Sequence, residues 1–166
     1  MLMQFSVDKF YLHSAENAFG VARKYIALRE ELKRESGAFG CLIRNLIRTV
    51  DYQGLIGRAI EIKGEVKLLT GNASSVPPPH FGPEQELRQT LHDYITALAV
   101  ASETCYQKAV FLAKKARSAS TAETSYSDFQ KIIRDEESSL QRCQAIGRRL
   151  STLYRLLSAQ IPPREC

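Results

Sequence analysis

Cysteine and histidine are the side chains best able to hold a metal or act as nucleophiles, and here their spacing does not let them. The cysteines stand at Cys41, Cys105, Cys143 and Cys166, and the histidines at His13, His80 and His92. No Cys-x-x-Cys occurs and no histidine has a glutamate three residues before it, so zinc, c-type haem and di-iron spacings are missing. Nor is there a Gly-x-Ser-x-Gly, a Walker phosphate loop, a Gly-x-Gly-x-x-Gly or a His-Glu-x-x-His. The residues predict no catalytic group, no metal and no cofactor, hence a protein that is not an enzyme. Free, reduced thiols are the simplest reading of the cysteines, and with them a cytoplasmic or nuclear location.

One carboxylate is out of place. Glu136 falls on the longest apolar stripe of the chain, where a charge is costly unless paired. It could be a polar lock or a ligand contact in a core. The simpler expectation is a position near the end of a bundle, where the carboxylate reaches water or a basic side chain. Just beyond it, from Ser138 to Pro163, no acidic side chain occurs, while Arg142, Arg148, Arg149 and Arg155 do, with Arg164 following. Such a run could bind phosphate, an acidic peptide or an anionic membrane. It could also simply complement acidic residues on a neighbouring helix. Only Tyr154 interleaves these arginines, and the net charge of +5 is moderate and spread along the chain, so nucleic acid is not expected as a partner.

Gly54, Gly57 and Gly64 fall within a helical pattern, where each costs about 1 kcal/mol relative to Ala. Close approach to a neighbouring helix is the expected compensation; a groove for a partner helix, or a hinge, is the alternative. Three short motifs carry less. Pro77, Pro78 and Pro79 suit a stiff spacer more often than a polyproline ligand. Arg117 to Ser120 matches a phosphorylation site, and Asn72-Ala73-Ser74 a glycosylation sequon in an expected loop, both at chance level.

Four helices must position these residues. The clearest spans 127–161: Phe129, Ile133, Glu136, Leu140, Cys143, Gly147, Leu150, Tyr154, Leu157 and Ile161 follow an unbroken 4,3 spacing, which puts them on one face. A second spans 83–117, with Pro83 at its first position and Leu91, Ile95, Leu98, Ser102, Cys105, Ala109, Leu112 and Ala116 on its stripe. Residues 6–34 form a third, through Tyr11, Ser14, Ala18, Val21, Tyr25, Leu28 and Leu32. Residues 38–70 form the remaining one and carry two stripes. The early stripe is Ile43, Leu46, Val50, Gly57 and Ile60; the later is Leu55, Ala59, Ile62, Val66 and Leu69. A buried face that rotates, or a kink near Gly54 and Gly57, would reconcile them. A β-hairpin about Gly64 competes weakly, because it has no sheet to join.

Short connections favour antiparallel neighbours, so the expectation is all-α, an antiparallel up-down four-helix bundle with long helices, with 71–82 as linker. Two hairpins joined by that Pro-rich linker are the alternative. Charge supports the antiparallel pairing of the last two helices, since Glu84, Glu86 and Asp93 then lie near Arg148, Arg149 and Arg155. In the same register Cys105 falls opposite residue 138, about 7 Å along the axis from Cys143, so buried thiols are expected and not a disulfide.

At 166 residues, one domain is expected; 44% hydrophobic content excludes disorder, and no apolar run is long enough to span a membrane. The start lacks the basic and apolar regions of a secretory signal. The expected function is a non-enzymatic protein-interaction or adaptor module binding a helix or peptide of another protein, as a subunit of a larger complex. Its contact surface is expected around Gly54, Gly57 and Gly64 or around Arg142, Arg148, Arg149 and Arg155. Peripheral binding to an anionic membrane or a phosphorylated partner, and homo-oligomerisation, are the alternatives.

Overall fold

The computed structural model describes residues 9–36, 50–74, 82–117 and 126–160. They form four helices: α1 (Lys9–Ser36), α2 (Tyr52–Ser74), α3 (Pro83–Arg117) and α4 (Tyr126–Ser158).

Local chemistry sets two of the starts. Gly82 has φ 96°, a left-handed backbone that glycine adopts freely, and Pro83 follows as the first helical residue. Glu84 and Glu86 then lie in the first turn of α3 and Lys114, Lys115 and Arg117 in its last, each sign favoured by the helix dipole. At α2 the Asp51 carboxylate accepts the Gly54 N–H at 2.9 Å, an N-cap. A Cβ on Gly54 would collide with that carboxylate.

This cap corrects the expected helix over 38–70. Val50 and Asp51 are not helical, and α2 begins at Tyr52. Gly54 therefore belongs to a helix start and not to a kink. Residues 37–49, including Cys41, Ile43 and Leu46, lie outside the described residues. Within α2 the buried face is the later stripe, Leu55, Ala59, Ile62, Val66 and Leu69, while Gly57 and Ile60 of the early stripe are exposed. The helix also runs on to Ser74, so Asn72-Ala73-Ser74 is its last turn and not a loop. The stretch about Gly64 is helical and forms no hairpin. Most of the proline linker, the Ser118 to Ser120 stretch, Arg164 and Cys166 lie outside the described residues.

Ion pairs reveal the directions of the helices. Lys24 meets Glu65 at 2.6 Å and Arg58 meets Glu31 at 2.7 Å, so α1 and α2 are antiparallel. Lys63 meets Glu103 at 2.5 Å, between α2 and α3. Arg149 meets Glu86 at 2.8 Å and Lys108 meets Glu136, so α4 runs antiparallel to α3, and the Glu86 pair is the one expected from charge. The helices thus alternate in direction and share one core. Tyr11, Tyr25, Leu28, Leu98, Leu150 and Leu157 are buried in it. Of the α3 stripe, Leu91 to Leu112 is buried and only Ala116, near the helix end, is exposed.

The bundle is asymmetric. α3 packs against all three other helices, whereas α2 and α4 do not touch among the described residues. α1 packs firmly against α2 and α3 but only lightly against α4. The α1–α3 packing joins the two hairpins, so the tethered-hairpin alternative does not describe the molecule. It also leaves one seam, between α1 and α4, less completely closed.

Candidate functional site

Beneath that seam lies a cluster of charge. Glu136 and Lys108 are each only 2% exposed, and the Lys108 Nζ donates to Glu136 Oε2 at 2.6 Å. The Arg29 Nε lies 3.3 Å from Glu136 Oε1, although neither atom is aligned for a hydrogen bond. Arg29 also extends outward to Glu30 at 3.1 Å. One carboxylate from α4 is thus held between a lysine of α3 and an arginine of α1. Ser139 donates to the Glu136 carbonyl at 2.9 Å, and its hydroxyl lies 3.1 Å from that of Thr104.

The expectation of a carboxylate at the end of the bundle is therefore corrected for Glu136: it is a polar lock inside the core. Lys108 was missed as its partner, yet two signals point to it. Cys105, Lys108 and Leu112 repeat the 3,4 spacing of the α3 stripe, and the register that sets Cys105 opposite residue 138 sets Lys108 opposite residue 135. Arg29 follows Tyr25 by four residues on α1, at the edge of its buried face.

The neighbouring polar groups are held neutral. Burial pushes the Tyr25 phenol up, with Cys105 and Glu136 adding to the shift and Arg29 opposing it. Its hydroxyl is buried without a hydrogen-bond partner. Burial likewise pushes Cys105 up to about 12 and Cys143 up to about 11, the latter partly offset by a hydrogen bond with Tyr94. Both thiols are free, as expected. Thiols in such surroundings are poor nucleophiles at neutral pH. No group of His, Cys, Asp and Glu among the described residues could hold a metal ion.

Above the cluster the seam opens into a groove of about 460 Å³. α1 contributes Phe19, Ala22, Tyr25 and Ile26, and α4 contributes Leu140, Cys143 and Gly147, with Gln144, Arg148 and Ser151 as its polar members. Tyr94 of α3 forms part of the lining. Gly147 is required here, because a Cβ on it would stand 2.9 Å from the Tyr94 ring. The Phe19 ring packs tilted on Tyr94 at 5.9 Å and edge-on to Tyr154 at 6.1 Å. Tyr154 in turn donates to Glu16 at 2.5 Å, which ties α4 to α1 beside the groove.

The arginines of α4 do not form one face. Arg148 and Arg155 are seven residues apart and share a flank; Arg142 and Arg149 share another, about 100° away. Arg148 lines the groove, whereas Arg149 turns to α3 and Glu86. Arg142, Arg148 and Arg155 make no ion pair among the described residues. Gly57 and Gly64 are exposed, and a Cβ on either would meet nothing within 4 Å. The close helix packing expected to compensate these two glycines is therefore absent.

Compared with known proteins, the chain matches no family model, no curated protein and no solved structure. Among the described residues no helix is long and apolar enough to cross a membrane.

Proposed function

We propose that this bundle is a protein-interaction module that receives a helix or peptide in the groove between α1 and α4. The observation that carries this reading is the groove's make-up: apolar walls open to water, with Arg148, unpaired among the described residues, on the lining and the Tyr25 hydroxyl, likewise unpartnered among them, beside it. Such a surface suits an apolar anchor flanked by an acidic side chain, the helix-in-groove mode of recognition. The anchor displaces water from Phe19, Ile26 and Leu140, and the acid pairs with Arg148. A buried, neutral thiol and phenol add no reactive group, which favours binding over catalysis.

Membrane binding through α4 has less support, because Arg142, Arg148 and Arg155, unpaired among the described residues, lie on two flanks. Selection of random peptides on the immobilised protein tests the proposal. Enriched sequences should combine an aromatic or aliphatic anchor with Asp or Glu, and A22W, which fills the groove, should abolish their binding. R148E should shift selection away from acidic peptides. Failure to enrich any sequence, or enrichment that A22W and R148E leave unchanged, refutes the reading; salt-sensitive binding to anionic vesicles instead would point to the membrane.

A further inference from the structure

The two lips of the α1–α4 groove carry a pattern of charge. Two contacts fix the register of these antiparallel helices, Tyr154 with Glu16 and Arg29 with Glu136. Between them Arg23 falls opposite about residue 144, about 6 Å along the axis from Arg148. Arg23 is exposed on the outward edge of α1, one turn from each of the groove residues Phe19 and Ile26. Neither Arg23 nor Arg148 makes an ion pair or hydrogen bond among the described residues. We propose, resting on the groove's role as a peptide site, that these two arginines clamp one phosphate from opposite lips and that the occupant is a phosphotyrosine of a partner peptide.

The charges along the lips favour a compact dianion over an extended acidic helix. Glu16, Arg23 and Glu30 follow one flank of α1 at seven-residue spacing, and Arg155, Arg148 and Glu137 follow the facing flank of α4. In the antiparallel register Glu16 comes beside Arg155, and Glu30 beside Glu137. No acidic residue occurs from 17 to 29 or from 138 to 155, so only the middle of the groove has two cations and no acid on its lips. A helix with acids along its length would set some of them against Glu16, Glu30 and Glu137. One doubly charged group in the middle meets arginines alone.

The other groups of the groove fit an aromatic phosphate. Gln144 and Ser151 line it one turn on either side of Arg148 and add an amide and a hydroxyl donor. The planar guanidinium fork matches phosphate geometry, and a phosphotyrosine carries nearly two negative charges at neutral pH. Its ring covers Phe19, Ile26 and Leu140, which a phosphoserine would leave in water. The groove volume of about 460 Å³ accommodates such a side chain.

Phenyl phosphate supplies the ring and the phosphate without any peptide sequence, and ¹⁵N NMR of the full chain reads its binding. It should shift the amides of Phe19, Ile26 and Arg148 and bind at least about tenfold tighter than phenol or inorganic phosphate. R23A and R148A should each weaken it about tenfold, whereas R149A, on the other flank, should leave it unchanged. Peptide libraries fixed at a central phosphotyrosine should enrich over libraries fixed at tyrosine, phosphoserine or glutamate. Arg23, Arg148 and Arg149 are exposed, and circular dichroism checks that each variant is folded. Phenyl phosphate that binds no better than inorganic phosphate, or that is indifferent to R23A, overturns the proposal. So does a phosphotyrosine library no better than the glutamate one, or binding to phosphoinositide vesicles without binding to phosphotyrosine peptides. If glutamate-bearing peptides then still enrich and A22W abolishes them, the peptide role of the groove stands and only the phosphate clamp falls. If no peptide of any kind enriches, both fall.

Discussion

Removing Glu136 should damage the fold far more than removing Lys108, although the two side chains form one ion pair. E136L leaves the buried Lys108 with no counter-charge, and the half-buried Arg29 with only its surface contact to Glu30. K108M leaves Glu136 beside Arg29, 3.3 Å away. Breaking a buried pair by deleting one partner typically costs about 3–5 kcal/mol. E136L belongs at the top of that range, and K108M below it, near about 1–3 kcal/mol, because one opposite charge remains. For a chain of this length each kcal/mol shifts the melting temperature by roughly 2–4 °C, so E136L should melt about 10–20 °C below the wild type. K108M/E136L exchanges the pair for apolar side chains and leaves Arg29 its surface contact with Glu30. It should recover most of the loss, with a coupling of about 2 kcal/mol or more. Urea melts of the four proteins at neutral pH, at low concentration, read these differences directly. If K108M destabilises as much as E136L, or the double variant equals the sum of the single ones, Glu136 is not the shared counter-charge of the cluster.

Cys105 and Cys143 ionise well above the ordinary 9.0, at about 12 and about 11, so the unfolded chain loses these protons first. Their contribution to stability is intact below pH 9 and falls as pH rises toward 11 and 12, by about 1.4 kcal/mol per pH unit for each thiol. Urea melts at pH 8 and pH 10 should therefore differ less in C105A/C143A than in the wild type; an equal difference refutes the assignment. G57A should stabilise α2 by about 0.5–1 kcal/mol, since its Cβ meets open space, whereas G147A should destabilise the bundle by forcing its Cβ against the Tyr94 ring. Thermal melts of the two variants should move in opposite directions. D51A removes the cap of α2 and should lower stability by about 0.5–2 kcal/mol; an unchanged melt would show that the cap contributes nothing.

The helices were legible because burial repeats. On α1 the stripe from Tyr11 to Leu32 is buried without exception, and on α3 the stripe from Leu91 to Leu112 is too. A long amphipathic pattern survives local irregularity, since each turn is an independent vote for the same face. The start of α2 was not legible for the same reason. Val50, Gly57 and Ile60 extend a seemingly continuous stripe, and a single capping aspartate outweighs it. Asp51 bonding the N–H of a glycine three residues on is a local device with no periodicity of its own, so stripe reading passes over it. Gly57 and Gly64 were misread because a missing Cβ looks the same in sequence whether the space beside it holds a helix or water.

A buried charge differs from an open groove in what the chain must contain. Glu136 is tolerable in the core only if its counter-charges come from the same chain, so Lys108 and Arg29 had to be present, and antiparallel register finds the first. The groove between α1 and α4 carries only one half of a complementarity; its residues can specify an apolar anchor and an acid but not the sequence that bears them.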